Sequence, residues 1–398
     1  MRNGLFRSAL VLGLLSCIGP FSIDMYLPAM PQIARGLGAD VAGVQTTISA
    51  YFLAFGIAQL VYGPWADQSG RKPPLYLGVG IYLVGTAGCY LAPSIGALIA
   101  WRFVQALGAA AVMVVPRAII RDMHTGHEAT RMMAAIMLVI SVSPMLAPLA
   151  GSAVIAVADW RAIFGVLAIA GVISLLMIAF LLPETLRQED RVPVSAGRLL
   201  SGARHLLGDR VFMGLTFTGG FGMASFFVFL ASASFVYTGQ FGLTPTQFSL
   251  AFAANAIGFF SASQMAATLG QRFGARRVVL WATAGFAVFA LLTLAVVTAG
   301  IGGLPLLIAG LFMGNACLGL VIPTTMVMAL DPHGEIAGLA SSLGGTLQML
   351  AGGAVVMLSG PFFDGTAVPM VAAIAACALA ALALALWVLL RPLPAEIS

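Results

Sequence analysis

Twelve apolar runs, separated by short polar connections, decide what this chain can fold into. They fall at about 7–28, 45–65, 74–92, 97–118, 132–156, 162–182, 210–235, 246–268, 278–299, 304–329, 337–359 and 366–390. A bilayer-spanning helix needs about 20 mainly apolar residues, and every run has roughly that length. Hydrophobic residues make up 60 % of the 398 and charged residues 8 %, against about 25 % charged in a soluble domain. A water-soluble fold has nowhere to put so much apolar surface. The expected class is an all-α membrane protein with twelve transmembrane helices, since a helix satisfies its own backbone hydrogen bonds in lipid.

An even number of spans puts both termini on one side. Then 16 of the 19 basic residues lie in the N-terminus, the even-numbered connections and the C-terminus; Arg35 and Arg161 lie on the other side, and Arg102 lies inside a span. Basic residues stay on the cytoplasmic face, so both termini are expected in the cytoplasm. The same distribution explains the net charge of +5 without nucleic acid. Leu14-Leu15-Ser16-Cys17 faintly resembles a lipoprotein cleavage site, but the apolar run continues to Pro28 and further spans follow. It is read as a first span rather than a leader. Cys17, Cys89, Cys317 and Cys377 stand singly in apolar runs, without metal spacing, and are read as packing residues.

The longest polar stretch, Pro183 to Asp209, separates six spans from six. It is read as a cytoplasmic linker, 185–208, between two six-helix bundles at 1–184 and 209–398. A degenerate internal repeat supports two pseudo-symmetric halves. The connection after span 2, Gly63-Pro64-Trp65-Ala66-Asp67-Gln68-Ser69-Gly70-Arg71-Lys72-Pro73, has a counterpart after span 8, Gly270-Gln271-Arg272-Phe273-Gly274-Ala275-Arg276-Arg277. Aligning Gly70 with Gly274 sets Lys72 on Arg276 and Asp67 on Gln271, as in membrane carriers built from parallel repeats.

Gly63 to Pro73 resembles the signature after span 2 of the major facilitator superfamily, with Gln68 where that family usually has a basic residue. The resemblance implies a cytoplasmic gate. Gly63 would let two helices approach, Asp67 would engage a helix N-terminus and a basic residue, and Gly70 would make the turn. Arg71 and Lys72 would be the basic pair and Asp122 a further partner. A plain basic loop with a tight turn explains the charges, but not Gly63, Asp67 and Gly70 together. Arg102-Phe103-Val104-Gln105-Ala106-Leu107-Gly108 resembles the family's arginine-bearing motif in span 4. Ala147-Pro148-Leu149-Ala150-Gly151-Ser152 resembles the antiporter signature of span 5, with Ala147 and Ser152 in place of glycines and the helix-bending Pro148 and Gly151 kept. Asp159-Trp160-Arg161 and Leu182-Pro183-Glu184-Thr185 also look familial. Ile23-Asp24-Met25-Tyr26-Leu27-Pro28-Ala29-Met30-Pro31 resembles the bicyclomycin and chloramphenicol resistance (Bcr/CflA) branch of the drug:proton antiporters.

Two charges stand out without any family. Asp24 is the one acid of 14 well inside an apolar run, and Arg102 the one basic residue so placed. An intramembrane charge costs about 2.5–3.5 kcal/mol on insertion scales and usually marks a functional site. At 1.5 Å per residue, Asp24 lies roughly 6 Å, and Arg102 roughly 7 Å, from the outer end of its span, so the two are expected to pair. Asp24 is read as the proton carrier and Arg102 as the group that tunes it; a static ion pair bracing spans 1 and 4 is the alternative. Sodium is disfavoured, because one carboxylate supplies too few oxygens.

For substrate, Tyr26 and Gln105 near the charges, Phe226 and Phe227 in span 7, and Asn255, Asn315 and Gln348 in spans 8, 10 and 11 are the candidate contacts. Aromatic walls with few polar groups suit small amphipathic molecules. His124, His127, His205 and His333 lie in connections, and His124-Thr125-Gly126-His127 lacks the other ligands of a zinc site. No Gly-Lys-Ser/Thr phosphate loop is present. Neither a catalytic residue, a metal, a cofactor nor ATP is expected, and the proton gradient is the expected energy source. The reading is a proton-coupled, alternating-access exporter of phenicol- or bicyclomycin-like drugs, monomeric, in a bacterial inner membrane with lipids and protons as partners. A transporter of one endogenous metabolite and a non-transporting receptor or scaffold stay open as alternatives.

Overall fold

The computed structural model describes residues 2–123, 126–191 and 196–390. His124 and Thr125, and with them the reading of the segment up to His127, lie outside the described residues. No strand occurs among the described residues. The α-helices are α1 Arg2–Asp24, α2 Met30–Leu37, α3 Val41–Ser69, α4 Lys72–Leu91, α5 Ile95–Met123, α6 Gly126–Val157 and α7 Arg161–Phe180. They continue as α8 Ala196–Gly208, α9 Arg210–Phe235, α10 Pro245–Phe273, α11 Ala275–Thr298, α12 Gly303–Leu330, α13 Ala337–Ser359 and α14 Ala367–Leu389. Among the described residues, eleven apolar helical runs are long enough to cross a membrane; one of them, Gly303–Phe362, holds both α12 and α13. Each of the twelve apolar runs of the sequence therefore overlaps a long helix.

The chain forms two compact units, Met1–Ser195 and Ala196–Ser398. Within the polar stretch 185–208, a short 3-10 turn at Gln188–Asp190 belongs to the first unit and α8 to the second. In the first unit α3 and α4 both pack along α5, α6 packs along α1, and α7 packs along α4. In the second, α9 lies against α12, α13 and α14, while α12 also packs on α10 and α11. Large apolar side chains point outward as well: Ile169, Val172, Ile173, Leu176 and Phe180 of α7 are all exposed. An apolar face of that extent belongs in lipid.

The first span departs from a simple rod. It was expected to run to Pro28, but α1 stops at Asp24, a 3-10 turn covers Leu27–Ala29, and α2 restarts at Met30. Proline carries no N–H, so Pro28 has nothing to donate to the carbonyl of Asp24, four residues back. The last bond of the α1 ladder runs from the Met25 N–H to the Phe21 carbonyl at 3.1 Å. Elsewhere the boundaries follow local chemistry. Asp40 Oδ1 accepts from Gly43 N–H at 2.8 Å and caps α3. Asp209 Oδ1 accepts from Val211 and Phe212 N–H and caps α9, and Thr244 with Gln247 forms a capping box on α10.

Candidate functional site

The broken end of α1 leaves backbone carbonyls without helical partners. Arg102, carried by α5, takes one of them: its Nη1 donates to the Ser22 carbonyl at 2.8 Å and to Gln105 Oε1 at 2.8 Å. A cation at a helix C-terminus meets the negative end of the helix dipole, so Arg102 acts as a cap supplied from another helix. Its guanidinium lies between two tyrosine rings, 4.6 Å from the centroid of Tyr26 and 4.4 Å from that of Tyr51 on α3. Each such contact is worth ~2 kcal/mol when desolvated, and Arg102 has no exposed surface at all.

Secondary contacts fix this cage. Tyr26 shares a hydrogen bond with Thr47 Oγ1 at 2.8 Å, and Tyr82 shares one with Ser22 Oγ at 2.8 Å. Gln105 Nε2 donates to Thr86 Oγ1 at 2.9 Å. Gln105 can sit there because α4 and α5 nearly touch: a Cβ on Gly85 would strike the Gln105 backbone, and one on Gly108 would strike Gly78 and Tyr82. Even so, Arg102 Nε and Nη2 remain buried without a hydrogen-bond partner among the described residues.

Asp24 is also buried, and no hydrogen bond or ion pair holds it among the described residues. The expected Asp24–Arg102 pair is therefore not formed. About 200° of helix turn separates residues 22 and 24, and Arg102 is committed to the Ser22 side. Opposite Asp24, α6 comes in close: a Cβ on Gly151 would run into the carbonyl oxygen of Met25. Pro148 is buried one turn earlier on α6. The span 5 motif thus meets the span 1 motif backbone to backbone.

The turn between α3 and α4 is held by charge. Arg71 is almost wholly buried and its fork is filled. Nε and Nη2 bond Asp122 at 2.7 and 3.0 Å, and Nη1 bonds Asp67. Burial opposes the charge on Arg71, but the hydrogen bonds to Asp122 and Asp67 outweigh it and raise its pKa further. Gly70 has φ +98°, where a side chain is disfavoured, and a Cβ there would lie 2.7 Å from Glu184 Oε2.

Three expectations about this turn change. The acid on a helix N-terminus is Glu184, not Asp67: Glu184 accepts from the N–H groups of Arg71, Lys72 and Leu186 at 2.9, 3.1 and 3.1 Å. Desolvation would raise its carboxyl, but these backbone donors prevail and hold it below the usual carboxylate range. Lys72 contributes its N–H, while its ammonium lies over Tyr76. Gly63 is not the point of closest approach, since a Cβ there would meet only Val114 Cγ1, at 4.0 Å. Thr185 joins the turn by donating to Asp122 at 2.9 Å.

In the second unit the candidate substrate contacts are engaged at separate places. Asn315 Nδ2 donates to Asn255 Oδ1 at 3.4 Å, so those two meet between α12 and α10. Phe226 stacks on Phe259 at 5.7 Å. Phe227 is buried and fills the groove over Gly352, and Gln348 lies by Gly219 and Thr325. A cavity of ≈ 10 Å³, lined by Ser225, Phe229, Phe286, Thr293 and Asn315 among others, has room for one water. In the first unit Tyr26 and Gln105 are taken up by the Arg102 cage.

Sequence reasoning missed Ser22, Tyr51 and Tyr82, and gave Glu184 no role beyond its place in a family-like string. One signal was present for two of them. Tyrosines favour the membrane interface, yet Tyr51 and Tyr82 stand deep in apolar runs.

Comparison with known proteins adds the following. The family model described as Major Facilitator Superfamily matches residues 12–244. An uncharacterized MFS-type transporter of Bacillus subtilis is 37 % identical over 366 residues, 91 % of this chain and 90 % of that protein. A bicyclomycin resistance protein homolog of Haemophilus influenzae is 29 % identical over 373 residues, 94 % of this chain and 93 % of that one. Among solved structures, a D-xylose-proton symporter superposes with a TM-score of 0.78 at 14 % identity, covering 96 % of this chain and 97 % of its own. At that identity the likeness concerns the fold.

Proposed function

The chain belongs to the Major Facilitator Superfamily of multi-pass membrane transporters, and we propose that it is a proton-coupled exporter of small amphipathic drugs in a bacterial inner membrane, with Asp24 as the proton carrier. One observation carries the reading: an acid without a partner among the described residues, Asp24, and a cation with two donors unused among them, Arg102, meet the same broken helix end. An unpaired charge is too costly to bury, so in this arrangement Asp24 holds its proton. Deprotonation creates a carboxylate at the negative end of α1, where only a cation stabilises it. Arg102 Nε and Nη2 are the donors at hand. Turning them to Asp24 weakens the hold on the Ser22 carbonyl, and so couples the proton to the shape of α1 and to the Gly151 contact.

The Arg71–Asp67–Asp122–Glu184 turn is the cytoplasmic gate in this scheme, and both termini are cytoplasmic. The two units form two bundles joined by the 185–208 stretch, and the substrate moves by alternating access. Phenicol- or bicyclomycin-like compounds are the substrate class, on the strength of the Bcr/CflA resemblance and the Haemophilus relative's name. Each charge moved is worth about 2.3 kcal/mol per 100 mV, enough for roughly a fifty-fold substrate gradient.

The test is drug-dependent proton release from detergent-purified protein across an antibiotic panel, for wild type and Asp24→Asn. Release by wild type and none by the variant is expected. Release that persists in Asp24→Asn removes Asp24 from coupling. A folded wild type that no compound in the panel provokes rejects drug export for that panel.

A further inference from the structure

We propose that α8 is an interfacial helix whose outward strip, Leu200, Arg204 and Leu207, binds anionic lipid headgroups on the membrane face where α9 begins. The argument uses only the membrane-spanning nature of the chain, not the drug-export reading.

One face of α8 is fixed to the second unit. Leu206 is fully buried, and Leu199, Gly202 and Ala203 are half-buried. Gly202 sits against Leu339 of α13: a Cβ there would lie 2.6 Å from the Leu339 side chain. His205 meets the ring of His333 edge-on at 5.7 Å, in the connection between α12 and α13.

At about 100° per residue, Leu200, Arg204 and Leu207 make a second, contiguous strip beside that face. Leu200 is 73 % and Leu207 49 % exposed, and Arg204 is exposed between them. Leucine in water at these positions gains nothing for the protein. Two leucines flanking a guanidinium instead match the acyl–headgroup boundary, with leucine below and arginine at phosphate level.

Position agrees with this. Only Asp209 separates α8 from Arg210, the first residue of the spanning helix α9 and itself exposed. Leu207 is therefore only three residues from the start of the span, at most about 11 Å of chain. Arg204 and Arg210 favour an anionic headgroup over a zwitterionic one.

The test uses the whole protein in nanodiscs of phosphatidylcholine alone or with phosphatidylglycerol. An environment-sensitive fluorophore is placed on Leu207→Cys, with the half-buried Cys17 and Cys317 replaced by serine. Blue-shifted emission in the phosphatidylglycerol discs, partly reversed by high salt, is expected. Arg204→Gln in unlabelled protein should weaken phosphatidylglycerol binding about fivefold, the equivalent of ~1 kcal/mol per basic residue near a charged surface. This second measurement stands if the labelled variant does not fold. A water-like spectrum in both discs overturns the proposal. So does blue emission that ignores lipid charge, which would mean that uncharged bilayer or a second copy covers the strip.

Discussion

Gly151→Ala is the sharpest probe of how the site is built. A Cβ at Gly151 would meet the Met25 carbonyl oxygen and lie 3.0 Å from its carbonyl carbon and 3.1 Å from its Cα. Carbon atoms rest about 3.5–4.0 Å apart, so α6 and the end of α1 must part by about 0.5–1 Å. The atoms in the way are backbone, with no rotamer to escape into, and overpacking of this kind costs about 1–3 kcal/mol. Gly80→Ala on α4 is the matched control, because its Cβ meets nothing within 4 Å. Replacing a helical glycine in open space stabilises by about 0.5–1 kcal/mol. Unfolding free energies in mixed detergent micelles should therefore move in opposite directions for the two variants. Gly151→Ala should also impair drug-dependent proton release, because Asp24 adjoins the displaced residue. A Gly151→Ala protein as stable and as active as wild type would refute the backbone-to-backbone contact and its coupling to Asp24.

Two further predictions concern the charges. Glu184→Gln removes the anion from the N-terminus of α4 and should cost about 0.3–1 kcal/mol at neutral pH, the modest value of an exposed helix-terminus charge. Since the folded state holds Glu184 below its ordinary range, that contribution is complete above this range and is lost as pH falls through the lowered value. The wild-type and variant unfolding curves should accordingly converge in acid. Tyr51→Leu removes one face of the Arg102 cage and should lower stability by ~2 kcal/mol, whereas Tyr51→Phe keeps the face and most of the stability. Equal losses in the two Tyr51 variants would assign the effect to the hydroxyl instead.

Much of the fold was open to reading because lipid allows few architectures. Long apolar runs become helices, and each expected run overlaps one. Asp24 and Arg102 stood out in the sequence, since a lone charge in an apolar run has few innocent explanations. Gly70 was legible through its place in a tight turn, and its φ of +98° accounts for that residue. Glu184 was harder. It caps α4 from 113 residues along the chain, and periodicity says nothing about which distant acid reaches a helix end. Gly63 misled for the opposite reason, because the family motif names a glycine where this chain has ordinary van der Waals distance.

The partner of Arg102 was out of reach for a deeper reason. Reading charges alone, a buried cation and a buried acid at similar depth should find each other, since leaving either unpaired is expensive. The structure offers Arg102 something sequence patterns do not record, a backbone carbonyl. α1 ends at Asp24, the Ser22 carbonyl takes no bond from the Tyr26 N–H, and the dipole of the preceding turns makes that oxygen a good acceptor. Two aromatic faces supply the rest. The end of α1 thereby settles where a guanidinium 80 residues from Ser22 rests.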